Sequence, residues 1–178
     1  VSIINSERLF FRQLTKDDVS ERYLSWLNDP EVNRYLETRH TKQTREKCES
    51  FVSDMEKDDA SHFFGIFNRE DSEHIGNIKL GPINSHHLSG QLSLFIGDKT
   101  CWRRGYAAES IRCITEWGFE VLNLERIEAG CYETNIGSLR AFLKVGYSVE
   151  GFFRKSIVSN EERIGGFWLG ILRSESIE

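Results

Sequence analysis

Trp102-Arg103-Arg104-Gly105-Tyr106-Ala107-Ala108-Glu109 joins two guanidinium groups, a glycine and the first residues of a helix-like run. It follows a strand-like stretch, Leu92–Ile96, and the helical pattern continues to about Leu122. A strand-to-helix turn of this kind aims free backbone N–H groups and the positive end of a helix dipole at one point. A phosphate group suits that point. Arg103 and Arg104 supply charge, Gly105 permits close backbone approach, and the helix from Ala107 supplies donors. An ordinary basic turn with a convenient glycine would read the same way, so the motif alone leaves both readings open. A second stretch is Tyr132-Glu133-Thr134-Asn135-Ile136-Gly137-Ser138. Asn135 sits where a strand gives way to a helix, and Ser138 lies in that helix's first turn. Both could hydrogen-bond a ligand lying across the strand end; simple N-capping by Asn135 is the alternative.

Positioning these groups requires a sheet with helices packed on it, and the chain has that pattern. Glu7–Leu14 reads as a strand, and Thr15-x-x-Asp18 as a capping-box-like start. Val19, Tyr23, Trp26 and Leu27 have helical spacing, and Asp29-Pro30 opens a short second helix. A third helix is expected over Gln43–Lys57, with Cys48, Phe51, Val52 and Met55 on one face. Strands follow at His62–Asn68, Ile75–Leu80 and Gln91–Ile96, separated by polar turns at Arg69–Glu73 and Asn84–Gly90. In the middle strand Ile78 and Leu80 face one way, Asn77 and Lys79 the other. Three such strands predict an antiparallel meander. After the basic turn come an amphipathic helix (Ile111, Ile114, Trp117, Gly118, Val121, Leu122) and a strand at Arg126–Tyr132. A helix at Ile136–Val145, capped by Gly146, follows. Val149–Lys155 and Arg163–Leu172 form a hairpin around Ser159-Asn160-Glu161-Glu162. The order β-α-α-α-β-β-β-α-β-α-β-β means an α+β class with a mixed, mainly antiparallel sheet and helices on both faces.

The chain has 178 residues, 39% hydrophobic and 29% charged, which fits one domain with a substantial core. A net charge of −5 argues against nucleic acid as a partner. Cys48, Cys101, Cys113 and Cys131 are scattered without Cys-x-x-Cys or zinc-ligand spacing, so neither disulfide scaffolding nor a metal site is expected. No apolar run is long enough to cross a membrane, and a cytoplasmic setting is the expectation. Exposed edge strands leave a homodimer open.

Several segments together resemble the GCN5-related N-acetyltransferase (GNAT) superfamily. They are Ile96-Gly97-Asp98-Lys99, Trp102 to Glu109, Asn135-x-x-Ser138 and Gly146-Tyr147-x-x-Glu150-Gly151. Glu7-Arg8-Leu9, Arg12 and Trp26 to Val32 are similar to the branch holding ribosomal-protein alanine, spermidine and amino-sugar acetyltransferases. The resemblance spans residues 6–173 as one domain. It implies a GNAT fold whose central sheet splays between the strand ending near Ile96 and the strand ending near Tyr132. It also implies acetyl-CoA as the cofactor. Its pantetheine arm would pair with backbone around Phe95, Ile96 and Gly97, and its pyrophosphate would lie on Arg103, Arg104, Gly105, Tyr106, Ala107 and Ala108. Asn135 and Ser138 would border the arm.

The implied reaction is acetyl transfer to a primary amine by direct attack in a ternary complex. The acceptor is left open among a protein N-terminus, an amino sugar and another small amine. Many relatives use a Tyr seven residues after the Asn as general acid; here that position is Phe142. Ser138 is then the candidate to hydrogen-bond the leaving sulfur, as a Ser there is thought to do in the alanine-acetyltransferase-like enzymes. Glu133 is the candidate base, beside a water chain with no single base. Asn77, Lys79, Gln91 and Ser93 are candidates for the substrate side, His86 and His87 for a nearby turn, and Trp26, Tyr35 and Arg39 for the cleft's cover. Core packing is the alternative for Trp26 and Tyr35. The missing Tyr also leaves room for a catalytically weak acyl-CoA-binding or sensing module.

Overall fold

Period-2 alternation in the strands places apolar side chains on both faces of one sheet, and two separate helical layers cover them. A computed structural model describes residues 3–159 and 161–176. The elements run β1 (Ile4–Asn5), β2 (Leu9–Gln13), α1 (Glu21–Asn28), α2 (Pro30–Asn33), α3 (Arg45–Lys57), β3 (His62–Asn68), β4 (His74–Asn84), β5 (Ser89–Ile96), α4 (Tyr106–Glu120), β6 (Arg126–Tyr132), α5 (Ile136–Val145), β7 (Ser148–Ser159) and β8 (Glu162–Leu172). Short 3-10 turns occur at Lys16–Asp18, Glu37–His40, Lys99–Cys101 and Arg173–Glu175. The eight strands lie in the order β1-β2-β3-β4-β5-β6-β8-β7. The pairs are antiparallel except β5–β6, which is parallel.

The alternation decides which layer each residue meets. Phe64 and Ile66 of β3, with Ile78 and Leu80 of β4, join Ile111, Ile114 and Phe119 of α4 and Phe142 of α5 in one core. Phe63 and Phe67 join Tyr23, Trp26 and Leu27 of α1 and Cys48 and Val52 of α3 in the other. Gly118 lets α4 sit close to the sheet: a Cβ there would lie 2.8 Å from Leu80 and 3.0 Å from Ile127. Burying each large apolar side chain stabilises by about 1.5–3 kcal/mol, so both layers are firmly attached.

The sequence reading needs small corrections. β1 has no counterpart in the sequence pattern, because two residues carry no periodicity. β4 and β5 run past their expected ends, so the turn at Asn84–Gly90 shrinks. Helix α3 starts at Arg45, because the Thr44 side chain caps it by accepting the Lys47 N–H. Val121 lies beyond the end of α4 and is 57% exposed rather than on the core face. Asn160, in the expected tail turn, lies outside the described residues.

The sheet opens in its centre. β5 and β6 pair at Ser89–Arg126, Gly90–Ile127 and Gln91–Glu128, and no pair follows among the described residues. Beyond that point β5 stays with β4 as far as Ile96–Gly76, and β6 stays with β8 as far as Tyr132–Gly166. Each strand follows its own neighbour, so the two diverge toward their C-terminal ends. The expected splay is present, and α4 and α5 both begin at its open end.

Candidate active site

Four of the five α-helices start with a side-chain cap. Ser20 accepts from the Tyr23 N–H, Asp29 from Glu31, Thr44 from Lys47 and Asn135 from Ser138. Helix α4 has none, because its N-cap is Gly105, held at φ +85°. The first helical bond runs from the Glu109 N–H to the Gly105 carbonyl at 3.0 Å. The amides of Tyr106, Ala107 and Ala108 precede it and are left for a ligand. Arg103 also takes a left-handed conformation, φ +61°, and both Arg103 and Arg104 are exposed. Tyr106 itself is 6% exposed, so it offers only its amide.

Arg8 joins this turn, a role the sequence did not suggest. Its backbone N–H and Nε donate to the Glu109 carboxylate, each at 2.7 Å, and Nη1 donates to the Arg104 carbonyl at 3.0 Å. Its guanidinium also lies 4.5 Å from the centre of the Tyr106 ring. Burial would raise the Glu109 pKa, but hydrogen bonds from the Arg8 backbone and Ser6 hold it below its usual value. The anion at the helix start is thereby screened by Arg8. A surface depression of about 450 Å³ adjoins the turn and is lined by Arg8, Arg104, Gly105, Arg112 and Lys144 among others. Glu7, Glu109 and Glu116 line the same depression, so four cations stand against three carboxylates beside the uncapped amides, an arrangement that suits an anion at the helix start.

Along β5 the expected cofactor residues are not equivalent. The Gly97 N–H donates to the Ile75 carbonyl at 2.8 Å, turned to the neighbouring strand rather than the splay. A Cβ at Gly97 would lie 2.2 Å from the Trp26 ring, which explains the glycine and places Trp26 in the core. The Ile96 carbonyl accepts from Trp102 Nε1 at 2.8 Å, tying strand end to turn. Phe95 lines a second cavity on the α1–α3 side.

Across the splay, Asn135 Oδ1 accepts the Ser138 N–H at 3.2 Å, so the capping reading holds for Asn135. The Ser138 hydroxyl is half-buried and makes no hydrogen bond among the described residues. Phe142 is 2% exposed, and its ring sits 5.0 Å from that of Tyr147, so this position carries no acid and does not face the cleft. The Glu133 carboxylate lies against Gly165 of β8 and the Phe152 ring, outside the acceptor-side cavity.

That cavity, about 480 Å³, has a floor of Asn77, Lys79, Ser93 and Phe95 and a roof from α1, α3 and the loop at 35–38. Gln91, His86 and His87 do not line it; both histidine amides donate to Asn84 Oδ1 in an exposed turn. A strap ties the loop at 35–39 to the end of β6. Arg39 Nη1 donates to the Tyr132 hydroxyl at 2.8 Å, the Tyr132 hydroxyl donates to the Glu37 carboxylate, and the Tyr35 hydroxyl donates to the Thr134 carbonyl at 2.9 Å. Burial raises the Tyr132 pKa, the Glu37 bond adds to that, and Arg39 opposes it, so the phenol stays protonated. Tyr35 lines the cavity, whereas Arg39 does not and instead ties its loop to Tyr132 and to the Val158 carbonyl. Cys48 also lines it, but burial raises its thiol pKa; burial likewise pushes Cys131 up to about 11 and Cys113 up to about 12. These thiols are poor nucleophiles near neutrality.

The acetyltransferase (GNAT) domain family matches residues 8–148. The chain belongs to the GNAT acetyltransferase family. An uncharacterized N-acetyltransferase of Bacillus subtilis, YnaD, is 31% identical over 175 residues, covering 97% of this chain and 98% of its own. The crystal structure of a GNAT-family acetyltransferase from Bacillus anthracis superposes with a TM-score of 0.84 at 25% identity, covering 98% of this chain and 100% of that one. Spermidine N-acetyltransferase from Vibrio cholerae, solved with CoA and spermine, superposes at 0.86 with 20% identity, covering 97% and 100%. That likeness speaks for the fold. This GNAT protein is an N-acetyltransferase that depends on acetyl-CoA. None of its described helices is long and apolar enough to cross a membrane.

Proposed function

We propose that this acetyltransferase moves the acetyl group to a primary amine by direct attack within a ternary complex. One observation carries the reading: β5 and β6 stop pairing after Gln91–Glu128, the uncapped start of α4 follows the open end of β5, and Ser93 and Phe95 of that same strand line the acceptor-side cavity. The pantetheine arm lies along Phe95 and Ile96, and the pyrophosphate rests on the turn from Arg103 to Ala108. The amine enters over Asn77, Lys79 and Ser93. Its nitrogen attacks the thioester carbonyl carbon, the C–S bond breaks as the intermediate collapses, and the sulfur takes a proton. Ser138 is the hydroxyl that orients that sulfur or relays the proton. Glu133 remains the proposed base, working through water from its place beside β8. An α-amino group, with a pKa of about 7.7–8.0, demands little of such a base. The raised thiol pKa values support a route without an acetyl-enzyme.

Thiol release from acetyl-CoA, followed over a panel of primary amines, tests this. Release that depends on an amine is expected, with kinetics in which both substrates bind before product leaves. Tight acetyl-CoA binding without release on any amine would point instead to a sensing module.

A further inference from the structure

Asn77 is 1% exposed, and its Nδ2 has no hydrogen-bond partner among the described residues. Its orientation is fixed by its neighbour. His74 Nε2 lies 2.9 Å from the Gly76 carbonyl and 2.8 Å from Asn77 Oδ1. The Gly76 carbonyl can only accept, so Nε2 carries the proton, and the Asn77 atom facing it must be the oxygen. Burial lowers the His74 pKa, consistent with a neutral ring. Nδ2 is therefore left as the donor. The strand partners of Asn77 are Gly65 and Phe95, neither of which has a polar side chain to receive it. On the roof, burial raises the Tyr23 pKa and the Asn77 amide draws it back, yet no hydrogen bond closes between them. Asn77 lines the acceptor cavity, where the Tyr23 hydroxyl and whatever enters are the groups its amide can meet.

We infer that Asn77 selects acceptors whose amine neighbours an oxygen that can accept a hydrogen bond, such as the carbonyl of an amino-terminal residue or the hydroxyl of an amino alcohol. The inference rests on the transfer reading above and names its substrate class. His74 is the positioning residue that holds the Asn77 amide in this orientation. The charges lining the cavity agree. Its carboxylate, Glu37, already accepts from Tyr132 and lies 3.5 Å from Arg39 and 3.6 Å from His40, while Lys47 and Lys79 add positive charge. A polycationic amine meets no unengaged carboxylate among these lining residues.

Calorimetric titration of the CoA-loaded protein with alaninamide, alaninol, sec-butylamine and spermidine tests the inference. One or both oxygen-bearing amines should bind about tenfold or more tightly than sec-butylamine, and the stronger of the two names the oxygen. Asn77→Leu should erase that preference while leaving CoA affinity unchanged. Equal binding of all four by the wild type overturns the inference. So does an Asn77→Leu variant that loses CoA affinity in place of amine selectivity. The wild-type comparison decides the matter even where the variant fails to fold. Thiol release on the same amines separates the two readings. Selective binding without release sinks transfer and leaves the selectivity; release without selectivity does the reverse.

Discussion

At the scale of single residues, chemistry depends on groups whose partners are few. The Ser138 hydroxyl makes no hydrogen bond among the described residues, while its amide is held by Asn135 at 3.2 Å. Ser138→Ala should therefore lower kcat by about tenfold or more with CoA affinity unchanged, because proton delivery contributes at the transition state. Stopped-flow turnover beside calorimetry checks this; an unaltered rate removes Ser138 from the mechanism. Asp18 shows the opposite case, a saturated charge. Arg12 donates to it at 2.8 and 2.5 Å and the Thr15 N–H at 2.8 Å. Burial would raise its pKa, but these bonds hold it at about 2. An unfolded Asp titrates near about 3.9. The folded value is depressed, so the stabilisation is full above the unfolded value and fades as pH falls toward the folded one. Asp18→Asn should cost about 1–2 kcal/mol at pH 7, with the difference from wild type roughly halved near pH 3. Urea unfolding across pH measures it.

At the scale of elements, the start of α4 and the strap carry the predictions. Gly105 must hold φ +85°, which a β-branched residue adopts at a cost of about 1–3 kcal/mol, and a Cβ there would stand 3.5 Å from Arg8 Nη2, one of the cations of the turn. Gly105→Val should weaken CoA binding by about tenfold or more. Unchanged affinity would remove the turn from the cofactor site. The strap joins the loop at 35–40 to the end of β6 through Tyr132, Arg39 and Glu37. Tyr132→Phe deletes the shared hydroxyl, worth about 1–2 kcal/mol to strap closure. The amine KM should rise several-fold and amide exchange at residues 34–41 should quicken, while CoA affinity stays put. A fall in kcat with neither change would instead place Tyr132 in the proton path.

At the scale of the whole molecule, two helical layers grip one sheet that is divided in its middle. The proposed cofactor site draws on both halves: Phe95 and the turn belong to β5–α4, Asn135 and Ser138 to β6–α5. A ligand bridging the halves stabilises the folded state over the unfolded one. Acetyl-CoA at about one hundred times its Kd should add about 2.7 kcal/mol, a rise of about 5–10 °C in the thermal midpoint. Differential scanning fluorimetry reads this, and Gly105→Val, binding about tenfold more weakly, should lose about half of the shift at the same concentration. A full shift in that variant would mean the cofactor is held elsewhere.

The sequence by itself determined the elements whose signals are local. β3, β6 and α5 fall where periodicity and caps place them, because alternation, N-capping at Asn135 and the left-handed Gly146 act within a few residues. Asn77 and Lys79 were likewise legible as sharing a face opposite Ile78 and Leu80. What each face meets was not legible. The fixed Asn77 amide depends on His74, the turn's extra cation comes from Arg8 nearly one hundred residues earlier, and the strap joins residues 35–39 to Tyr132. Glu133 looked well placed by chain order, yet its carboxylate turns onto β8. Such pairings arise when the sheet order and two packed layers bring distant side chains together. No spacing along the chain encodes them, so the tertiary structure alone decided how the acceptor cavity is built.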